Sequence, residues 1–272
     1  MADITSIDGE LRELALFAGA GGGILGGTLL GWRTVCAVEI EPYPASVLCQ
    51  RQNDGILPPF PIWDDIRTFN GRPWRGIVDV VSGGFPCQDI SSAGKGAGID
   101  GKRSGLWKEM LRIIGEVRPK FALVENSPIL TVRGIERVFG DLAEMGFDSE
   151  YGTISAAVAG APDIRERIWI LAYPMQNRFN LASGEQPSGN VEERNFFPRW
   201  WGKLKTARLV DGLPPIMDIE PQAAAIIGRV DDGLADQVDR LAAIGNGQVP
   251  AVVRLAWNIL INRITRDLTK VY

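Results

Sequence analysis

An α/β fold, with a mostly parallel sheet flanked by helices, is what this 272-residue sequence predicts. Three observations predict it. Short apolar runs rich in Val, Ile and Leu alternate with longer stretches of helical spacing, the pattern of strand–helix units. The first run, residues 11–17, passes into the glycine-rich AGAGGGILGG, a strand-to-helix turn whose backbone N–H groups can approach a ligand closely. Glu39, Cys87 and Glu125 stand at or just beyond the ends of successive runs, and in an open α/β sheet the carboxyl ends of strands are where ligands and chemistry sit.

Composition narrows the chemistry. Hydrophobic residues make up 45% and charged residues 23%, ordinary for a soluble globular chain with one large domain and an insertion or small second domain. No apolar run approaches the ~18–20 residues that span a bilayer. The N-terminus lacks the basic start and apolar segment of a signal peptide, so a cytoplasmic protein is expected. The three cysteines, Cys36, Cys49 and Cys87, have no CxxC spacing and indicate neither a disulfide framework nor zinc. Histidine is absent, which removes Ser-His and Cys-His pairs and most zinc chemistry. A catalytic thiol here must be activated by a helix N-terminus, an arginine or the substrate. The net charge of −4 argues against bulk adhesion to nucleic acid but allows a local basic face.

Along the chain, Gly19, Gly21 and Gly22 form the turn after the first strand and residues 24–30 begin a helix. No Gly-Lys-Ser/Thr follows, so this is not a Walker loop. The second strand, residues 34–38, ends at Glu39, 18 residues after Gly21, where an acid can accept hydrogen bonds from ribose hydroxyls. Cys36 in that strand and Cys49 in a helix over residues 44–52 both read as core. A proline-rich loop leads to Asp65, which suits either an adenine amino group or an N-cap before Ile66. The run at residues 77–82 reads as a buried strand ending in GGFPCQDIS, where Pro86 fixes its own φ and holds Phe85 extended. Cys87 is then a nucleophile or a packed thiol. Residues 91–107, with five glycines and three basic residues, suit a lid that closes on substrate.

Leu106, Met110, Ile113, Ile114 and Val117 have helical spacing that stops at Pro119, and the strand at 121–124 ends in Glu125. A thiol and a carboxyl at neighbouring strand ends make a nucleophile and a proton donor. Residues 131–146 predict an amphipathic helix, and the next segment a strand and loop. Arg165 and Arg167 alternate into a buried strand and share one face, suited to a phosphate or base edge or to a salt-bridged strand end. From residue 174 the chain turns polar. Residues 194–208 carry five basic and no acidic residues among Phe196, Phe197, Trp200 and Trp201, a composition that fits a nucleic-acid surface or a small aromatic core with basic flanks. Pro250 stands in the first turn of a last helix that runs to about residue 267.

In this order, and over nearly the whole chain, these pieces closely resemble the DNA (cytosine-5) methyltransferase family of bacteria and phages. LFAGAGG resembles its S-adenosylmethionine loop, GGFPCQDIS its nucleophile motif, KRSGLW its mobile loop, Glu125-Asn126 its Glu-Asn-Val, and GNGQVP its closing motif. Ala15 replaces an early acid, Ser127 a valine and Asp163 a glutamine. The resemblance implies a Rossmann-like S-adenosylmethionine-dependent methyltransferase fold. Residues 1–173 and 240–272 would form the catalytic domain and residues 174–239 a compact target-recognition region.

It implies cofactor contacts from Phe17, Gly19, Gly21, Gly22, Glu39, Asp65, Ile66, Pro86 and Asn246, and catalysis by Cys87, Glu125, Arg165 and Arg167. DNA contacts would come from Gln88, Ser91, Lys95, Lys102, Arg103, Arg199, Lys203, Lys205 and Arg240. The implied reaction is methyl transfer from S-adenosyl-L-methionine, leaving S-adenosyl-L-homocysteine, to carbon 5 of a flipped-out cytosine in double-stranded DNA. A monomer without metal or membrane attachment is expected; whether a cognate restriction endonuclease accompanies it stays open. The alternatives are the same chemistry on RNA, a non-catalytic DNA-binding protein of this fold, and a nicotinamide-dependent oxidoreductase.

Overall fold

Seven strands form one sheet: β1 (Arg12–Leu16), β2 (Arg33–Val38), β3 (Ile62–Trp63), β4 (Val80–Gly84), β5 (Phe121–Asn126), β6 (Phe147–Ser155) and β7 (Glu166–Pro174). The structure, a computed structural model, describes residues 10–86, 105–160, 165–175 and 247–269. Strand order is β3-β2-β1-β4-β5-β7-β6, parallel from β3 to β5 and antiparallel where β7 joins β5 and β6 joins β7. From β1 the chain winds outward to β2 and β3, then returns to lay β4 on the other side of β1. That reversal opens a crevice above the carboxyl ends of β1 and β4.

The helices are α1 (Gly22–Leu29), α2 (Pro42–Asn53), α3 (Gly105–Val117), α4 (Ile135–Glu144) and α5 (Pro250–Thr269). Strand alternation sends Leu14, Leu16, Val81 and Val124 to one face, where they pack with Trp107, Met110 and Ile113 of α3 and Val138 and Leu142 of α4. Val80, Phe121, Leu123 and Trp169 go to the other face, against Val252, Val253, Ala256 and Leu260 of α5. Burying a side chain of this size contributes about 1.5–3 kcal/mol relative to leaving it in water. Two buried layers on one sheet follow directly from the apolar runs.

α5 lies beside α1 although more than two hundred residues separate them in sequence. Glycines make the approach possible. A Cβ on Gly26 would lie 2.8 Å from both Cγ atoms of Val253, and one on Gly22 would run into the backbone carbonyl of Gln248. Gln248, from the motif GNGQVP, therefore lies against the first glycine loop.

Local details depart from the expected elements. β4 begins at Val80, not at residue 77, because Ile77 and Val78 donate backbone hydrogen bonds to Trp74 O in a turn, and Asp79 is held by Arg12 at 2.9 Å and Lys120 at 3.1 Å. α4 begins at Ile135 because Pro128 opens a separate helical turn, Pro128–Thr131, and Gly134 at φ 146° breaks the path between them. Cys49, expected in the core, is exposed, since α2 turns Leu48 inward and Cys49 outward. Cys36 is buried, as expected. Among the described residues no helix is long and apolar enough to cross a membrane.

Candidate active site

The glycine loop leaves β1 through a sharp reversal. Phe17 has φ 52°, Gly19 φ 54° and Gly21 φ 88°, a left-handed path that is uncommon for a bulky residue such as phenylalanine. Ala18 N–H donates to Val38 O at 3.1 Å and Gly21 N–H to Ala18 O at 2.9 Å, which fixes the turn. Glu39, at the end of β2, locks it from the side. Its Oε2 accepts from Gly19 N–H at 2.6 Å and its Oε1 from Glu41 N–H at 2.8 Å. Burial pushes the Glu39 carboxyl up, while those backbone donors pull it back.

The three glycines divide their work. A Cβ on Gly19 would meet nothing among the described residues, and this residue lines the cleft. A Cβ on Gly21 would collide with Leu48 on the inner side, and Gly22 backs onto Gln248. Gly21 and Gly22 thus shape the turn and its packing, while Phe17, Gly19 and Gly23 line the cleft. Asp65 and Ile66 line it as well. The Asp65 carboxylate, however, accepts from Arg67 N–H at 3.0 Å and pairs with the Arg67 guanidinium at 2.7 Å, which holds it below the usual carboxylate range. The helix N-cap read as the alternative does not form, since residues 66–68 make a turn and not a helix; the Asp65 carboxylate caps that turn through Arg67 N–H.

Glu125 and the approach to Cys87 meet at the next strand ends. β4 and β5 pair with Gly84 opposite Glu125. Asn126 Nδ2 donates to Phe85 O at 3.0 Å and ties β5 to the segment that runs through Pro86 into Cys87. Glu125 is buried and its Oε1 accepts from Arg167 Nε at 2.9 Å. Burial raises the Glu125 pKa, opposed by the charge of Arg167, a hydrogen bond from Gln248 and the charge of Arg165. A buried carboxyl under that balance can hold a proton and hand it to a ligand. Arg165 lies further back, its Nη2 donating to Gly247 O at 2.6 Å.

These parts border one cleft of about 970 Å³, walled by the glycine loop, Glu39, Ile40, Asp65, Pro86, Glu125, Arg167 and Gln248. The size suits a nucleotide-like ligand with a second group beside it. Cys87, Gln88, Ser91, Lys95, Lys102, Arg103, Arg199, Lys203, Lys205, Arg240 and Asn246 lie outside the described residues, as do Asp163 and nearly all of the region 174–239. Gln248 and Ile40 were not singled out from the sequence. Gln248 had a signal, because it lies inside GNGQVP and two residues before the start of α5.

The family model described as "C-5 cytosine-specific DNA methylase" matches residues 11–213. The chain belongs to that family. Type II methyltransferase M2.BsuMI of Bacillus subtilis is 34% identical over 224 residues, 76% of this chain and 56% of that protein. The chain thus spans little more than half of that relative's length. Type II methyltransferase M.NgoMIV of Neisseria gonorrhoeae is 31% identical over 243 residues, 82% of this chain and 73% of its own. Among solved structures, the S. pombe Dnmt2 methyltransferase superposes with a TM-score of 0.59 at 18% identity, covering 94% of this chain and 99% of its own, a likeness of fold. In this member of the C-5 cytosine-specific DNA methylase family, the carboxyl-end crevice of the sheet carries both the glycine loop and the Glu125–Arg167 pair.

Proposed function

We propose that the protein methylates carbon 5 of a cytosine in duplex DNA, with S-adenosylmethionine as methyl donor and Cys87 as covalent nucleophile. The observation that carries this reading is a meeting of parts. The Phe85-Pro86 lead into Cys87 and the Glu125–Arg167 pair share one cleft with the glycine loop and Glu39. Membership of the family supports the substrate class.

The cleft suits that cofactor. Gly19 leaves open space beside the loop, Glu39 keeps lone pairs for ribose hydroxyls, and Ile40 and Ile66 offer apolar surface for an adenine. Phe17, Gly19, Glu39, Ile66 and Pro86 would hold it, with Asp65 at the base edge if its pairing with Arg67 opens. When bound it supplies a methyl group on a positively charged sulfur, an electrophile.

The chain's residues do the rest. Cys87 sulfur adds to carbon 6 of the ring, and Glu125 delivers its proton to nitrogen 3. The electron pair of the former 5,6 double bond becomes available at carbon 5. Arg167 holds Glu125 in place from the cleft wall, and Arg165, behind it, adds its positive charge and braces the backbone at Gly247. After carbon 5 has taken the methyl group, its proton leaves to water, since the sequence has no histidine. The freed pair restores the ring double bond, Cys87 departs as thiolate and Glu125 takes back the nitrogen 3 proton. A cytosine inside a duplex is out of reach of this chemistry, so the base is extruded first.

Duplex DNA carrying 5-fluorocytosine tests the proposal, because fluorine cannot leave as a proton does. With S-adenosylmethionine present, an adduct that survives denaturation and vanishes in Cys87→Ser is expected. No adduct on any DNA, with cofactor binding intact, would sink the reading; an adduct on fluorinated RNA alone would move it to the RNA enzyme.

A further inference from the structure

The proposed steps leave Gln248, a polar side chain of the cleft, without a task. Gln248 lies between the two halves of the site. A Cβ on Gly84 would come within 3.2 Å of its Nε2 and press on Glu125 Oε2, while a Cβ on Gly23 would meet its Oε1. The carboxamide thus turns its N–H group toward Glu125, which accepts its hydrogen bond, and its oxygen toward the first turn of α1. Each end suits its neighbour. A carboxylate accepts, and a helix N-terminus, with its free N–H groups and positive dipole end, favours an oxygen. Turning the amide over would spoil both contacts.

The backbone that carries the amide is held on both sides. The backbone carbonyl of Gln248 abuts Gly22, and the neighbouring Gly247 carbonyl is held by Arg165 at 2.6 Å. Segment 247–248 is therefore clamped between α1 and the start of β7. Arg167 grips the carboxyl at Oε1, so β7 and the approach to α5 hold Glu125 from two elements.

We infer that Gln248 is a positioning residue for Glu125, fixing the orientation of the proton-holding carboxyl and tying it to the start of α1 beside the cofactor loop. The inference rests on the proposed reaction. Arg167 and Arg165 are the charged groups that act on Glu125, and Gln248 adds a neutral donor that favours the ionised form. Loss of that donor moves the Glu125 titration to higher pH. It also moves in the same direction the pH above which a protonated Glu125 can no longer serve.

The test uses the full chain with Gln248→Leu and with Gln248→Met, which keeps the side chain's length but has no N–H. The carboxyl ¹³C signal of Glu125, assigned with Glu125→Gln, is titrated in each protein. An upward move of the midpoint in the variants is expected, with kcat lowered about 10-fold to 100-fold, the order of loss from a misplaced catalytic group. A midpoint that stays put in folded variants overturns the inference. In the unaltered chain the Gln248 carboxamide N–H signals must follow the Glu125 titration; signals that do not move overturn it without any variant. If the unaltered chain transfers no methyl group while the midpoint still moves, the coupling stands and the reaction reading fails.

Discussion

Glu13, the second residue of β1, has no exposure to solvent, its Oε1 accepting from Ser82 Oγ at 2.6 Å and its Oε2 from Thr34 Oγ1 at 2.7 Å. Burial pushes this carboxyl from the ordinary 4.5 up to about 7, and the two hydroxyl donors pull against burial without cancelling it. The consequence is a pH dependence of folding with a definite sign. Below pH 4.5 Glu13 is protonated in folded and unfolded chains alike, and its contribution to stability is complete. As pH rises from 4.5 to about 7 the unfolded chain gives up the proton and the folded chain does not, so stability is lost; above about 7 the loss levels off. At about 1.4 kcal/mol per pH unit, the interval corresponds to a loss of about 3 kcal/mol, large against a total of about 5–15 kcal/mol. Glu13→Gln cannot ionise, and its amide can accept from one hydroxyl and donate to the other. Urea denaturation of both proteins across pH 4–8 is the assay, with equal m-values as the check that the same surface unfolds. Glu39 and Glu125 titrate in both proteins and cancel in the difference. Wild type should weaken relative to the variant through this window, and parallel curves would refute the reasoning.

Gly26→Ala forces a methyl group against Val253. Overpacking costs about 1–3 kcal/mol, set against about 1 kcal/mol of helix propensity that alanine returns, so thermal unfolding should show a loss of stability. The added cost of the alanine should shrink in a Val253→Ala background, and strictly additive losses would remove the α1–α5 contact as its cause. Glu39→Gln puts an amide where Gly19 and Glu41 donate to a carboxylate. A hydrogen bond to a charged group contributes about 1.5–3 kcal/mol, so calorimetry should find S-adenosylmethionine bound roughly ten-fold or more weakly; unchanged affinity would take Glu39 out of the cofactor site.

Much of this molecule is legible in the chain itself because the signals are local. Helical spacing from Leu106 to Val117, Pro119 as the stop and Pro250 in the first turn of the last helix reflect constraints that neighbouring residues place on one another. The placement of Glu39 and Glu125 at strand ends follows from where apolar runs give way to acids, and the sheet puts both on one crevice. Other features arise only when distant segments share space. No local pattern says that β7 inserts between β5 and β6, that Leu48 rather than Cys49 faces inward, or that a glutamate belongs at the centre of the sheet under two hydroxyls. Gln248 gains its partner because α5 packs on a glycine face of α1, more than two hundred residues away. Sequence determined which residues could do chemistry, through turns, periodicity and charge. Tertiary structure decided which of them touch, because burial is settled by the whole sheet and its helices at once.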